Sequence, residues 1–69
     1  MENFRISHAH LMYHVHENIQ LAMAFANIAK NAESDYVAMD ADFCYAEHMA
    51  HAMFYLTHAR NLRLRRKSK

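Results

Sequence analysis

The sequence predicts an all-α fold, an antiparallel two-helix hairpin that dimerises into a four-helix bundle. The first observation is an apolar stripe in each half of the chain, whose members are spaced by four and three residues as on one face of a helix. The stripes are Phe4, His8, Leu11, Val15, Asn18, Ala22, Phe25 and Ala29 in the first half, and Met39, Phe43, Ala46, Ala50, Met53, Thr57, Arg60 and Leu64 in the second. The second observation is that their members lie at equal distances on either side of Ser34. A chain that folds back at Ser34 therefore brings the two stripes together.

The chain forms one predicted domain, residues 1–69, with capping residues near each expected boundary. The predicted order is helix one at about 4–30, a loop at about 31–35, helix two at about 35–64 and a basic tail at 65–69 that is expected to fray. Asn3 or Ser7 can accept hydrogen bonds from the first turn of helix one, and Ser34 or Asp35 can do so for helix two. Asn31 tolerates the left-handed conformation that often ends a helix.

A chain of 69 residues is short, and a domain of this size buries only about 60% of the surface of its unfolded chain. A second apolar strip beside the main stripes is predicted to be the dimer interface. It consists of His14, Leu21, Ile28, Met49 and Leu56. Burying this strip against a second copy completes a four-helix bundle, and Asn18 on the main stripe is a candidate for setting the register.

Charge is distributed unevenly although the formal net charge is only +1. Four acids, Glu33, Asp35, Asp40 and Asp42, cluster near the expected loop, whereas all residues that are charged in the segment 60–69 are basic. Two hairpins that run in opposite directions place each acidic loop near the basic end of the other copy. A head-to-tail homodimer is therefore predicted.

The single cysteine and the lack of a long apolar segment bear on localisation. Cys44 cannot form a disulfide within the chain, which favours a reducing, cytoplasmic setting. The start of the sequence lacks a basic segment followed by a long apolar one, and the run from Leu21 to Ala26 is far shorter than the roughly 20 residues that span a membrane. A cytoplasmic protein without a membrane partner is expected.

Metal binding and catalysis have weak signals. Cys44, His48 and His51 have the spacing of metal ligands on one helical face, and His10 and His14 are four residues apart. The face of helix two that carries Cys44, His48 and His51 is predicted to point outward, away from the histidines of helix one. The alternative to metal binding is therefore that these are surface histidines with ordinary hydrogen bonds. Cys44 before His48 also resembles a thiol beside a base, but no pocket or glycine-rich phosphate loop is predicted. We expect a non-enzyme without cofactor or metal.

The outer face of helix two is the predicted partner-binding surface, since it is unusually apolar and aromatic. Its residues and the neighbouring acids are Asp35, Val37, Asp40, Asp42, Cys44, His48, His51, Tyr55 and Leu62, with His58 beside them. Tyrosine is a frequent energetic anchor at interfaces, and the acids favour a basic partner such as a DNA-binding domain. Scattered apolar residues are also normal on small helical proteins, which is the alternative interpretation.

The basic end provides a second functional hypothesis. Arg60, Arg63, Arg65, Arg66 and Lys67 are candidates for binding nucleic acid through its phosphates. A solubilising tail that complements the helix dipole is the other interpretation. The acidic remainder of the chain differs from the strongly basic surface of a dedicated nucleic-acid binder.

Two resemblances extend these expectations. The paired stripes from Phe4 to Leu64 and the loop NAESD resemble the Rop fold, a plasmid-encoded RNA-binding helical hairpin. A chain that opens MENFRISHAHLMYHVHENIQ and closes NLRLRRKSK also resembles the small early bacteriophage proteins that disarm host regulators, in particular the anti-quorum-sensing proteins of Mu-like Pseudomonas phages. That second resemblance implies a dimer in the host cytoplasm that binds a quorum-sensing transcription activator and blocks its DNA binding, with room for a second host target.

Overall fold

A computed structural model of the chain describes residues 6–67, which form two helices. Helix α1 spans His8–Asn31 and helix α2 spans Asp35–Lys67. The short connection at residues 32–34 reverses the chain, so that α1 and α2 pack side by side in opposite directions. The prediction of an all-α helical hairpin is confirmed. Over the described residues, neither helix has a segment long and apolar enough to cross a membrane.

Serine side chains cap both helices. The Ser7 hydroxyl accepts a hydrogen bond from the backbone N–H of His10 at 3.0 Å, so α1 begins at His8 rather than near residue 4. The Ser34 hydroxyl accepts one from the N–H of Val37 at 3.1 Å. The predicted N-cap Asn3 and the stripe residue Phe4 lie outside the described residues.

The ends of the helices differ from two expectations. Asn31 is still helical, and the chain leaves α1 in an extended conformation at Ala32, with φ −70° and ψ 142°. No described residue has a positive φ, so the left-handed ending was wrong. Helix α2 continues to Lys67, three residues beyond the predicted end at about residue 64, and residues 68–69 of the predicted tail lie outside the described residues. Three cations in the last turn of α2 face the negative end of the helix dipole, which stabilises this extension.

The α1 stripe was predicted correctly. Leu11, Val15, Asn18 and Ala22 are buried, and Phe25 and Ala29 are half-buried. They pack between the two helices, and the side chains of α1 that surround them are more exposed. The spacing of apolar residues was sufficient to predict the buried face of α1, because α1 has one apolar stripe of this length.

The α2 stripe was predicted wrongly. Met39, Phe43 and Met53 keep 63%, 65% and 58% of their surface exposed, and Ala46, Ala50, Thr57, Arg60 and Leu64 are exposed as well. The buried residues of α2 are Ala41, Ala52 and Ala59. The helix is thus turned so that alanines face α1. The physical reason is that α2 carries two stripes of helical spacing, and small side chains let the two backbones approach closely.

The hairpin is thin for its mass. Its dimensions are 53 × 25 × 13 Å, and its radius of gyration is 16.1 Å, against about 11 Å for a compact domain of this length. It exposes 5790 Å² of surface, whereas a compact monomer of 8.2 kDa exposes roughly 4500 Å². Much apolar surface is therefore left outside the core.

Ala22→Leu tests the close approach of the helices. Ala22 has no exposed surface, so a larger side chain must push α1 and α2 apart. Overpacking of this kind costs about 1–3 kcal/mol of unfolding free energy. Thermal and urea unfolding measure it, with Ala24→Leu at an exposed position of α1 as the control. Equal stability of the two variants would contradict the packing described here.

Candidate protein-interaction surfaces

One buried polar contact joins the two helices. Asn18 is only 8% exposed; its amide nitrogen donates to the carbonyl oxygen of His14 at 2.9 Å. Its side-chain oxygen lies 2.9 Å from Nδ1 of His48 on α2. Because that oxygen can only accept, Nδ1 of His48 is the protonated nitrogen that donates. Asn18 therefore has partners on both helices, as expected of a register-setting residue.

Stacked rings reinforce this contact on the same side of the hairpin. The Phe25 ring stacks on the His48 ring, with centroids 5.6 Å apart and planes at 8°. The His14 ring stacks on the Tyr55 ring at 4.9 Å and 22°. Both contacts join α1 to α2, so His48 and Tyr55 belong to the seam between the helices.

The predicted partner-binding residues of α2 divide into two groups. Asp35, Val37, Asp40, Asp42 and His51 are exposed. Cys44, His48, Tyr55 and Leu62 are half-buried. The expectation that His48 and Tyr55 point outward was wrong, because the actual rotation of α2 turns both rings toward α1. Sequence periodicity alone could not fix that rotation.

An exposed aromatic residue of α2, Phe54, was not among the residues predicted from the sequence to bind a partner. Phe54 is 64% exposed, and its ring stacks parallel to that of His58 with centroids 6.2 Å apart. It belongs to a line of residues at helical spacing that we call the acidic–aromatic stripe. This stripe consists of Val37, Asp40, Glu47, His51, Phe54 and His58, all exposed. The three- and four-residue spacing of Phe54 from His51 and His58 was the available signal.

The predicted dimer strip is divided between different parts of the surface. His14 contacts Tyr55, whereas Leu56 lines a groove with His8 and Met12. Leu21, Ile28 and Leu56 are exposed, while His14 and Met49 are half-buried. The five residues were placed together on the assumption that α2 presents Met39 and Phe43 to α1. Since α2 is rotated away from that orientation, they do not form one strip.

A longer apolar surface runs along the outside of α2. We call it the outer stripe, and it consists of Met39, Phe43, Ala46, Ala50, Met53, Thr57 and Leu64, all exposed. A groove lies at each end of it. The first, of about 510 Å³, is lined by Tyr36, Val37, Met39, Asp40 and Phe43. The second, of about 590 Å³, includes Met53, Leu56, Arg60, Arg63, Leu64 and Lys67. The first groove thus combines apolar side chains with the acid Asp40, and the second combines apolar side chains with the bases Arg60, Arg63 and Lys67.

The basic residues lie on a continuous helix. Arg60, Arg63, Arg65, Arg66 and Lys67 are all exposed at the end of α2. Arg60, Arg63 and Lys67 share the second groove, as their three- and four-residue spacing allows. The arrangement gives this end of the hairpin a positive groove, opposite to the end that carries Asp35 and Asp40.

The group Cys44, His48 and His51 does not converge on a metal site. The Nδ1 of His48 donates to Asn18 and its ring lies against Phe25, while the His51 ring meets it edge-on at 6.0 Å. Within residues 6–67, no three histidine, cysteine or acidic side chains are placed to hold one ion.

Comparisons with known proteins gave no match, whether with protein-family models, curated proteins or solved structures.

Asn18→Ala tests whether the contact with His48 stabilises the hairpin. Losing the buried acceptor should lower the unfolding free energy by about 1–3 kcal/mol, because the imidazole N–H of His48 then has no acceptor between the two helices. A double-mutant cycle with His48→Ala, followed by urea unfolding at one protein concentration, should give a coupling of about 0.5–1.5 kcal/mol. Gln20→Ala, at an exposed position of α1, is the control. Additive effects of the two alanine substitutions would show that the contact contributes nothing.

Proposed function

We propose that this chain is a non-enzymatic, protein-binding inhibitor that acts as a homodimer and blocks the DNA binding of a transcription regulator. The observation that supports the proposal best is the position of the large apolar side chains of α2. Met39, Phe43, Met53 and Phe54 lie outside the hairpin core, and exposed apolar surfaces of this extent are typical of protein interfaces.

A second copy of the chain is the proposed occupant of the outer stripe. The hairpin exposes roughly 1300 Å² more than a compact monomer of its mass, and a stable interface buries about 800 Å² on each partner. Ala46 and Ala50 in the middle of the stripe allow two α2 helices to approach closely. Such a contact would complete the four-helix assembly that the length of the chain favours.

Charge favours an antiparallel contact between the two α2 helices. Asp42 and Arg60 are both exposed and lie 18 residues apart, which is five full turns of an α-helix, so they lie on the same side of α2. A two-fold axis near Ala50, about midway between them, therefore places Asp42 of one copy near Arg60 of the other. Opposite charges at both ends favour this orientation, and a parallel contact would bring like charges together.

The acidic–aromatic stripe is the proposed surface for the regulator. Its part from Glu47 to His58 lies outside the outer stripe and its two grooves, so this part stays accessible in the proposed dimer. Phe54 supplies a large exposed anchor, and Asp40 and Glu47 favour a basic partner. The DNA-binding surface of a transcription factor has that charge. An inhibitor that covers it needs no chemistry, only occlusion.

The class of regulator follows from the likeness in sequence character to the anti-quorum-sensing proteins of Mu-like Pseudomonas phages. We therefore propose a phage-encoded protein that acts in the host cytoplasm on a quorum-sensing transcription activator. The charge and exposed aromatic surface of α2 fit such a target.

Ala50→Glu tests the dimer. Two glutamates near the proposed two-fold axis should repel each other, and light scattering during size exclusion should then give a mass of 8.2 kDa instead of twice that value. Ala24→Glu on α1 is the matched control, since it adds the same charge at an exposed alanine outside the stripe. Leu21→Glu tests the strip that was predicted from sequence. A dimeric Ala50→Glu variant would refute the outer stripe as the interface.

Phe54→Ala tests the binding of the regulator. A gel shift with a purified quorum-sensing activator and its operator should disappear when the wild-type protein is added. Loss of the Phe54 ring should reduce inhibition at least tenfold, because interface aromatic anchors commonly contribute 2 kcal/mol or more. Met23→Ala, at an exposed apolar position of α1, is the control. Inhibition that is unchanged by Phe54→Ala together with Glu47→Lys would contradict the proposed surface.

RNA or DNA binding in the manner of Rop is the alternative function. It is favoured by one observation, the continuation of α2 to Lys67, which lines Arg60, Arg63 and Lys67 along one groove. The same gel shift separates the two functions when the protein is mixed with RNA or operator DNA alone. A direct shift that weakens steeply with salt supports the alternative, because phosphate contacts release counterions. No shift at low salt excludes it.

A further inference from the structure

Two histidines of α1 are placed like a pair of metal ligands. His10 and His14 lie one helical turn apart, and their Nε2 atoms are 3.3 Å from each other. His10 is exposed, and the side chain of His14 keeps 29% of its surface accessible. We propose that this pair binds a divalent transition-metal ion such as zinc through both Nε2 atoms.

The distance between the two nitrogens fits the ion. A zinc ion binds imidazole nitrogen at about 2.0–2.1 Å with tetrahedral geometry, which puts two such ligands about 3.3 Å apart. The two rings now meet edge-on at 88° with centroids 4.7 Å apart, so the exposed His10 ring needs to turn slightly for both Nε2 atoms to point at the ion. Pairs of histidines four residues apart on a helix are an established arrangement for zinc.

Neighbouring groups hold His14 in the orientation that binding needs. Its Nδ1 lies 3.3 Å from the carboxylate oxygen Oε1 of Glu17, which can only accept, so Nδ1 carries a proton. In the neutral side chain, Nε2 then has a free lone pair. A carboxylate behind a histidine fixes its tautomer and ring orientation in metal sites. The Tyr55 ring from α2 stacks on the other side of His14.

Metal binding replaces one hydrogen bond and releases no proton from the neutral side chains. In the metal-free pair, Nε2–H of His10 donates to Nε2 of His14. When the ion binds, His10 moves its proton to Nδ1 and both Nε2 lone pairs face the metal. Water completes the coordination, since the described residues supply no third ligand. Imidazole pairs suit zinc, copper and nickel, and softer or harder ions bind other donors better.

Titration calorimetry with zinc chloride alone, on the full chain, tests the site. One ion per chain is expected. His10→Ala should weaken binding at least tenfold, and Glu17→Gln should weaken it about tenfold through the orientation of His14. His16→Ala, at an exposed position on another face of α1, should have no effect. Wild-type binding should weaken as the pH is lowered, because protons compete with the ion for the imidazoles.

Several results of the same calorimetry would overturn the proposal. His10 is exposed, so its replacement should leave the hairpin folded, and circular dichroism checks this. Zinc binding that is unchanged in His10→Ala, or that is lost in Cys44→Ser, overturns the proposal, because the ion then binds elsewhere. The absence of zinc binding at about 1 mM also overturns it, and leaves the 3.3 Å contact as an imidazole hydrogen bond. None of these outcomes bears on the proposed inhibition.

Discussion

Close packing of the two helices depends on alanine. Ala22 on α1 and Ala41, Ala52 and Ala59 on α2 are buried where the helices meet. Small side chains let the backbones approach, but each alanine buries little apolar surface, so the seam contributes only modest hydrophobic stabilisation. Contacts of higher specificity are then needed to hold one register. The hydrogen bond from His48 to Asn18 and the stacked rings of His14 and Tyr55 supply them.

The same constraint determines what remains outside. When the alanines of α2 turn inward, Met39, Phe43 and Met53 must turn outward, because the two stripes lie on different faces of one helix. The hairpin thus leaves the larger apolar surface exposed. The chain is thus divided between a narrow buried seam and a wide apolar exterior.

Sequence reasoning predicted the hairpin, its turn and the inward face of α1, because a single stripe of Leu11, Val15 and Asn18 left one solution. It failed for the rotation of α2, where apolar residues occur on several faces and periodicity does not rank them. Contacts between particular residues decide which face of α2 turns toward α1. The buried side chain of Asn18 needs a hydrogen-bond partner on α2, and His48 provides one. The spacing of Phe54 from His51 and His58 indicates that they share a face of α2, but the exposure of that face follows only from the rotation. Because this rotation does not follow from periodicity, the residues that were predicted to form one partner-binding face lie partly between the helices and partly on the surface.

The separation of the two faces of α2 has a consequence for how the protein can change over generations. Substitutions at Phe43, Met53 or Phe54 alter the exterior while the alanine seam on the opposite side stays intact. New binding preferences can therefore arise without loss of the fold. A substitution at Ala52 or Ala59 has no such freedom, because any larger side chain there separates the helices.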